Sequence, residues 1–208
     1  VAVAMATEGT ARVIEGCSAA TSGLAEACTA ELGIAGSWRR GTREQVVIER
    51  VAEALIHPGQ TPLPAEPDRQ VPLTVVDPGW PAATVLSTQG WMSHLVLSGV
   101  PVVLVARATV PGIRRLETVL HMIPGGTVQG AVLGPRVKKW PQAVTHSVGP
   151  KVSSLLKAGG LVTVPVDRHL AATGLNPEKQ LPSGVLRTAQ ALTHISVGER
   201  ATHEGDTA

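Results

Sequence analysis

Leu73-Thr74-Val75-Val76-Asp77-Pro78-Gly79 is a short β-branched run closed by an acid and a Pro-Gly turn. A run of that length and composition between turn signals reads as a buried strand. The same pattern recurs downstream at Val100–Ala106, Val128–Leu133 and Leu161–Val166, and a shorter candidate, Ala11–Glu15, lies upstream. Amphipathic segments separate them. One runs from Ala82 to Leu97 with an interruption near Gly90, and another places Ile113, Leu116, Val119 and Leu120 on one stripe. Val144, Val148, Val152 and Leu155 form a third stripe, and Val185, Leu186, Ala189, Leu192 and Ile195 a last one. Nearly pure apolar strands alternating with helices imply βαβ units whose sheet is covered on both faces.

The expected fold class is therefore α/β: a three-layer, mostly parallel β-sheet with helices on both faces. Its strands are expected at 11–15, 73–77, 101–106, 128–133 and 161–166. One domain is expected over 11–197, with 1–10 an N-terminal extension and 198–208 a polar disordered tail. Before Leu73 the pattern predicts two more helices. One carries Leu24, Cys28 and Leu32 on a face, and the other runs from Arg43 to Ile56 with Val47, Val51, Ala54 and Leu55 inward. Between His57 and Pro72 five prolines leave room only for a loop.

Composition narrows the function classes. The chain has 208 residues, 43% hydrophobic and 16% charged, with no Phe or Tyr and four Trp. Its core must be built from Val, Leu, Ile and Ala, and modules that stack bases on Phe or Tyr are hard to make from this alphabet. Two cysteines, Cys17 and Cys28, are too few for a disulfide framework or a zinc cage. The seven histidines are scattered, with no HExxH. No apolar run approaches the roughly 20 residues of a membrane span, and the N-terminal Val-Ala-Val-Ala-Met lacks the basic flank of a secretion signal. A cytoplasmic protein without membrane partners is expected.

Sheets of this class bind ligands at the carboxyl ends of their strands. That rule selects the loop after Glu15, then Asp77, Arg107–Thr109, Gly134–Arg136 and Asp167–His169. The small-residue loop Gly16-Cys17-Ser18-Ala19-Ala20-Thr21-Ser22-Gly23 stands where a helix N-terminus would favour an anion. It reads equally as a tight strand-to-helix turn. Asp77 can hold a Mg²⁺-bound water in a nucleotide site, or serve ordinary turn chemistry before Pro-Gly. Gly16-Cys17-Ser18-Ala19-Ala20 also resembles a nucleophile elbow, with Asp167 and His194 following in triad order. Against that reading, His194 falls on the apolar side of a predicted helix.

From Leu73 onward the sequence resembles the ParA/MinD-type P-loop ATPases, the deviant-Walker group of partition and site-positioning proteins. Val75-Val76-Asp77-Pro78-Gly79 is similar to the family's Walker B strand, and Val102–Thr109 to the strand and polar loop before a helix. Gln129–Pro135 takes the place of the strand that usually ends in Asn. Val162-Thr163-Val164-Pro165-Val166-Asp167 resembles the hhhPxD segment, continued by Gly174-Leu175 and Leu181-Pro182. The resemblance implies a P-loop NTPase-like fold, ATP and Mg²⁺ as cofactors, and Asp77 as the acid acting on Mg²⁺. It places Gly16, Ser18, Ala19, Ala20, Thr21 and Ser22 in the phosphate loop, and Gly134, Arg136, Pro165 and Asp167 near the adenine base. The signature lysines are missing, since Thr21 and Ser22 stand where the loop has Gly and Lys. Losing that lysine removes much of the electrostatic stabilisation of phosphoryl transfer. The resemblance thus implies a weak or inactive ATPase in partitioning, positioning or mobile-element maintenance. An active hydrolase with an atypical loop and a non-nucleotide protein-binding scaffold are the alternatives.

Charge adds one more expectation. The net charge is +2, yet residues 107–168 hold nine basic side chains against Glu117 and Asp167. That excess permits non-specific DNA contact, with Arg136, Lys138 and Lys139 beside Trp140 as its centre. A solvated surface explains the same charges. A protein partner or self-association is the other expected interaction.

Overall fold

The computed structural model describes residues 1–203 other than Glu8, Asp68 and Arg69, with side chains as far as Thr193. In chain order the elements are α1 (Ala2–Met5), β1 (Ala11–Glu15), β2 (Ala30–Ala35), β3 (Trp38–Arg43), β4 (Val46–Val51), β5 (Leu73–Asp77), α2 (Ala82–Ser87) and α3 (Trp91–Leu97). They continue as β6 (Val102–Arg107), α4 (Val110–Met122), β7 (Val128–Leu133), α5 (Gln142–Thr145), α6 (Pro150–Lys157), β8 (Leu161–Val164), α7 (Arg168–Thr173) and α8 (Ser183–His203). Where the sequence suggests one domain over 11–197, the contacts divide into two units. The first holds 1–93 and 167–182, the second 94–166 and the segment from Ser183 onward.

The first unit is built on a five-stranded sheet in the order β2-β3-β4-β1-β5. β1 runs parallel to both β4 and β5, while β2, β3 and β4 form an antiparallel meander. The helices expected over Leu24–Leu32 and Arg43–Ile56 do not form. Gly36-Ser37 makes a two-residue hairpin turn with Gly36 at φ +57°, and Glu44-Gln45 turns β3 into β4 with Glu44 at φ +52°. Val46-Val47-Ile48 is β-branched throughout and gains more from a pleated, half-buried surface than from a helix. Gly41 has no room for a side chain, because a Cβ there would lie 2.6 Å from the Cys28 sulfur.

With those helices absent, other groups seal the sheet. On one face Ala4 of α1 joins Ala11, Val13, Leu24, Ala27, Val46 and Ile48 in a buried cluster. On the other, Ile14, Trp38 and Val51 pack with Leu55, Val76 and Trp91. The proline-rich loop crosses this second group, held by its carbonyls. The Trp38 indole N–H donates to Leu63 O (3.4 Å), that of Trp91 to Thr61 O (3.1 Å), and the Arg12 guanidinium to Ala65 O (2.7 Å). Trp38 and Trp91 are thus polar anchors of this loop as well as apolar bulk.

The second unit holds a separate three-stranded parallel sheet, β6-β7-β8. Here the expected strands and helices appear in the expected order. A single helix over the Val144–Leu155 stripe is replaced by α5 and α6, broken at Gly149-Pro150 where proline can only open a helix. α4 and α6 pack together, and Leu155 of α6 covers Gly130 of β7. The Glu117 carboxylate on α4 accepts from the Lys151 and Val152 amides, both at 2.9 Å, and so caps α6. Full coverage of all the apolar strands is not found: β5 is half-buried at best, and Val105 on β6 stands 77% exposed. Both are edge strands of their sheets, which explains the difference. α8 extends to His203, past the boundary expected at 197; residues 204–208 of the expected tail lie outside the described residues.

Candidate functional site

β1 and β5 run side by side in register, so Glu15 and Asp77 end adjacent parallel strands. The Gly16 amide donates to Asp77 O at 2.8 Å, carrying the ladder one residue further. The structure therefore brings Gly16, Ser18–Ser22 and Asp77 together at the carboxyl edge of the first sheet. The Asp77 side chain is exposed and accepts from the Gly79 amide at 3.0 Å, closing the Pro-Gly turn.

The loop itself differs from expectation. After Gly16 the chain makes only a 3-10 turn, Ala19–Thr21, and no α-helix lies between β1 and β2. The dipole of a following helix is not there to favour an anion. Most of the amides that would cradle a phosphate already have partners within the chain. Ala19 donates to Glu53 O (3.0 Å), Thr21 to Ser18 O (2.9 Å) and Ala20 to the Ser18 hydroxyl (3.4 Å). Gly23 donates to the Glu15 carboxylate (2.9 Å) and Leu24 to the Ser22 hydroxyl (3.3 Å).

Glu15 was not among the residues singled out from sequence. It is 4% exposed, and its carboxylate also accepts from the Ser22 hydroxyl. The loop thus closes on an internal carboxyl group. The inner side of the loop is fixed too: the Gly16 carbonyl accepts from the Thr61 hydroxyl (2.9 Å) and the Trp80 indole (3.0 Å). Cys17 is buried, and its thiol is pushed above its ordinary range by burial first and by the Glu15 carboxylate second. The Ser18 hydroxyl accepts from the Leu55 amide at 2.8 Å and is 4% exposed, which suits an anchor more than a nucleophile. The side chain of His194, the third member of the elbow reading, lies outside the described residues.

The remaining predicted residues lie elsewhere. In the second unit the Gly134 amide donates to Val164 O at 3.0 Å, setting Gly134 beside the strand end that leads to Pro165. Gly134 has φ +149°, and a Cβ there would lie 2.6 Å from that of Ala108. This close approach is a local reason for glycine at this position. Arg136, Lys138 and Lys139 are exposed on the loop after β7, while Trp140 is buried and donates its indole N–H to Pro135 O at 2.9 Å. Trp140 anchors that loop and offers no face for stacking. Asp167 belongs to the first unit, where its carboxylate caps α7 by accepting from the Leu170 amide at 2.8 Å.

Among the described residues no three of His, Cys, Asp and Glu converge as a metal-holding group, and no helix is long and apolar enough to cross a membrane. A pocket of about 570 Å³ opens in the first unit between Glu26 and the segment carrying His169, Thr173, Asn176 and Lys179. Comparison of the chain with family models, curated proteins and solved structures finds no match.

Proposed function

We propose that this chain is a ParA/MinD-like nucleotide-fold protein that has lost phosphoryl transfer and works by binding, in partitioning, positioning or mobile-element maintenance. The parallel pair β1–β5, with Asp77 beside the loop that follows β1, supports the resemblance. The observation that carries the loss of catalysis is the loop 16–23. Its amides bond within the chain, the buried Glu15 carboxylate fills its interior, and no lysine stands in it. A triphosphate would have to displace those bonds and meet a like charge, so these residues do not fit ATP and no hydrolytic step is drawn through it. Equilibrium titration with a fluorescent ATP analogue, with and without Mg²⁺, is expected to show no Mg²⁺-dependent binding, and turnover to stay at background. Mg²⁺-dependent hydrolysis abolished by Asp77→Ala would instead establish the active-hydrolase alternative.

A specific observation favours a polyanion as one binding partner. Residues 94–166 carry Arg107, Arg114, Arg115, Arg136, Lys138, Lys139, Lys151 and Lys157, all exposed. Their single acid, Glu117, has its carboxylate turned onto the α6 amides. Backbone neutralisation by such a set gives sequence-independent binding that falls steeply with salt. Fluorescence anisotropy with duplex DNA should show binding at low salt, and Ala at 136, 138 and 139 should flatten the salt slope. Absence of binding at low salt removes DNA and leaves the protein-scaffold reading.

A further inference from the structure

The chain enters the first unit a second time, at Asp167, and leaves it after Pro182. This sixteen-residue return contributes no strand to the sheet, and Leu181 is its only buried residue. Leu175 adds a partly buried contact to the α1-side cluster. Its strongest tie is polar. Arg43, at the end of β3, is 2% exposed, and its guanidinium donates to Ala27 O (3.3 Å), Asn176 O (3.2 Å) and Lys179 O. None of the acceptors is a carboxylate, and the Arg43 Nε has no partner.

A buried charge that meets only carbonyl dipoles keeps much of its desolvation cost. Opening the return would hydrate the guanidinium, so the closed state gains less from Arg43 than its three hydrogen bonds suggest. The β1–β4 pairing has buried aliphatic residues on both strands, and its buried Arg12 and Glu49 compensate each other as an ion pair, which Arg43 lacks. Regions with few buried contacts open below the global unfolding limit.

We propose that residues 167–182 form a detachable strap on the first unit, latched by the buried guanidinium of Arg43. The latch joins both walls of the 570 Å³ pocket, since Ala27 adjoins Glu26 on one side and Asn176 and Lys179 line the other. Releasing Arg43 therefore opens the strap and dismantles the pocket in one step.

Native-state hydrogen exchange on the full chain at increasing, sub-denaturing urea tests this. The hydrogen-bonded amides of Leu170, Ala171, Gly174 and Lys179 report on the strap, and those of β1 and β4 on the sheet. In the unaltered protein the strap amides are expected to exchange with little urea dependence and the sheet amides with the steep dependence of global unfolding. Arg43→Met should speed exchange of the strap by roughly tenfold, one factor-of-ten step in an opening equilibrium, and leave β1 and β4 near their original rates. Strap and sheet sharing one urea-dependent exchange in the unaltered protein overturns the proposal. So does an Arg43→Met variant in which both sets change alike or neither changes. If Arg43→Met fails to fold, the urea dependence in the unaltered protein decides alone.

Discussion

Arg12, Glu15, Arg43, Glu49 and Arg50 lie inside the first unit, each no more than 6% exposed. The eight basic side chains of residues 94–166 in the second unit are all exposed. In the first, charge replaces a layer of helices. Glu49 pairs with Arg12 on one neighbouring strand and Arg40 on the other, and Arg50 reaches Glu31 and Ala25 O. In the second, α4 and α6 cover one side of the sheet, so its cations have no part in the core. Equal residue types do opposite work according to whether apolar helices are available to seal a sheet. Charge in the first unit is architecture; in the second it lies on the surface.

The largest effect is expected from Glu49→Ala. It strips Arg12 of the carboxylate it pairs with among the described residues and takes one from Arg40, and should cost about 3–5 kcal/mol, read as a lower urea midpoint for the first unit. A loss under ~1 kcal/mol would mean that the network contributes no architecture. Glu117→Ala, the one acid of residues 94–166, should cost about 1 kcal/mol by uncapping α6, visible in the same experiment. Smaller still is the thiol effect. Burial raises the pKa of both Cys17 and Cys28 above the ordinary thiol range, so the folded state holds its protons longer than the unfolded chain. Stability of the first unit is then complete below the ordinary thiol pKa and falls as the pH rises through it. Alkylation at pH 8 should be slower in the folded protein than in urea, and slower at the buried Cys17 than at half-buried Cys28. Replacing Arg136, Lys138 and Lys139 together by Ala should move stability by no more than about 0.5 kcal/mol per site. A larger loss would show that these cations belong to the architecture after all.

The second unit was the more legible in sequence. Val128–Leu133 is a strand to the residue, and the Ile113, Leu116, Val119 and Leu120 stripe is the buried face of α4. The first unit misled because Leu24, Cys28 and Leu32 happen to fall at helical spacing. In the structure Leu24 is buried while Leu32 is 61% exposed on β2. The Gly36-Ser37 dipeptide was the overlooked hairpin signal. Of the candidate site, the adjacency of Asp77 and the loop after Glu15 could be read from the strand-end rule. The internal bonding of that loop could not, because Glu53, Leu55, Thr61 and Trp80 reach it from distant parts of the chain. Arg43 and its acceptors on the strap are 133 and 136 residues apart, beyond any local periodicity.

The tryptophans have an optical consequence. With no tyrosine or phenylalanine in the chain, every near-ultraviolet band and all intrinsic emission come from four indoles. Trp38, Trp80 and Trp91 belong to the first unit and Trp140 to the second. A protein keeping only Trp140 would therefore emit from the second unit alone, and one lacking only Trp140 from the first. Two single-residue-class dyes, already in place, can report whether the units melt together or in succession.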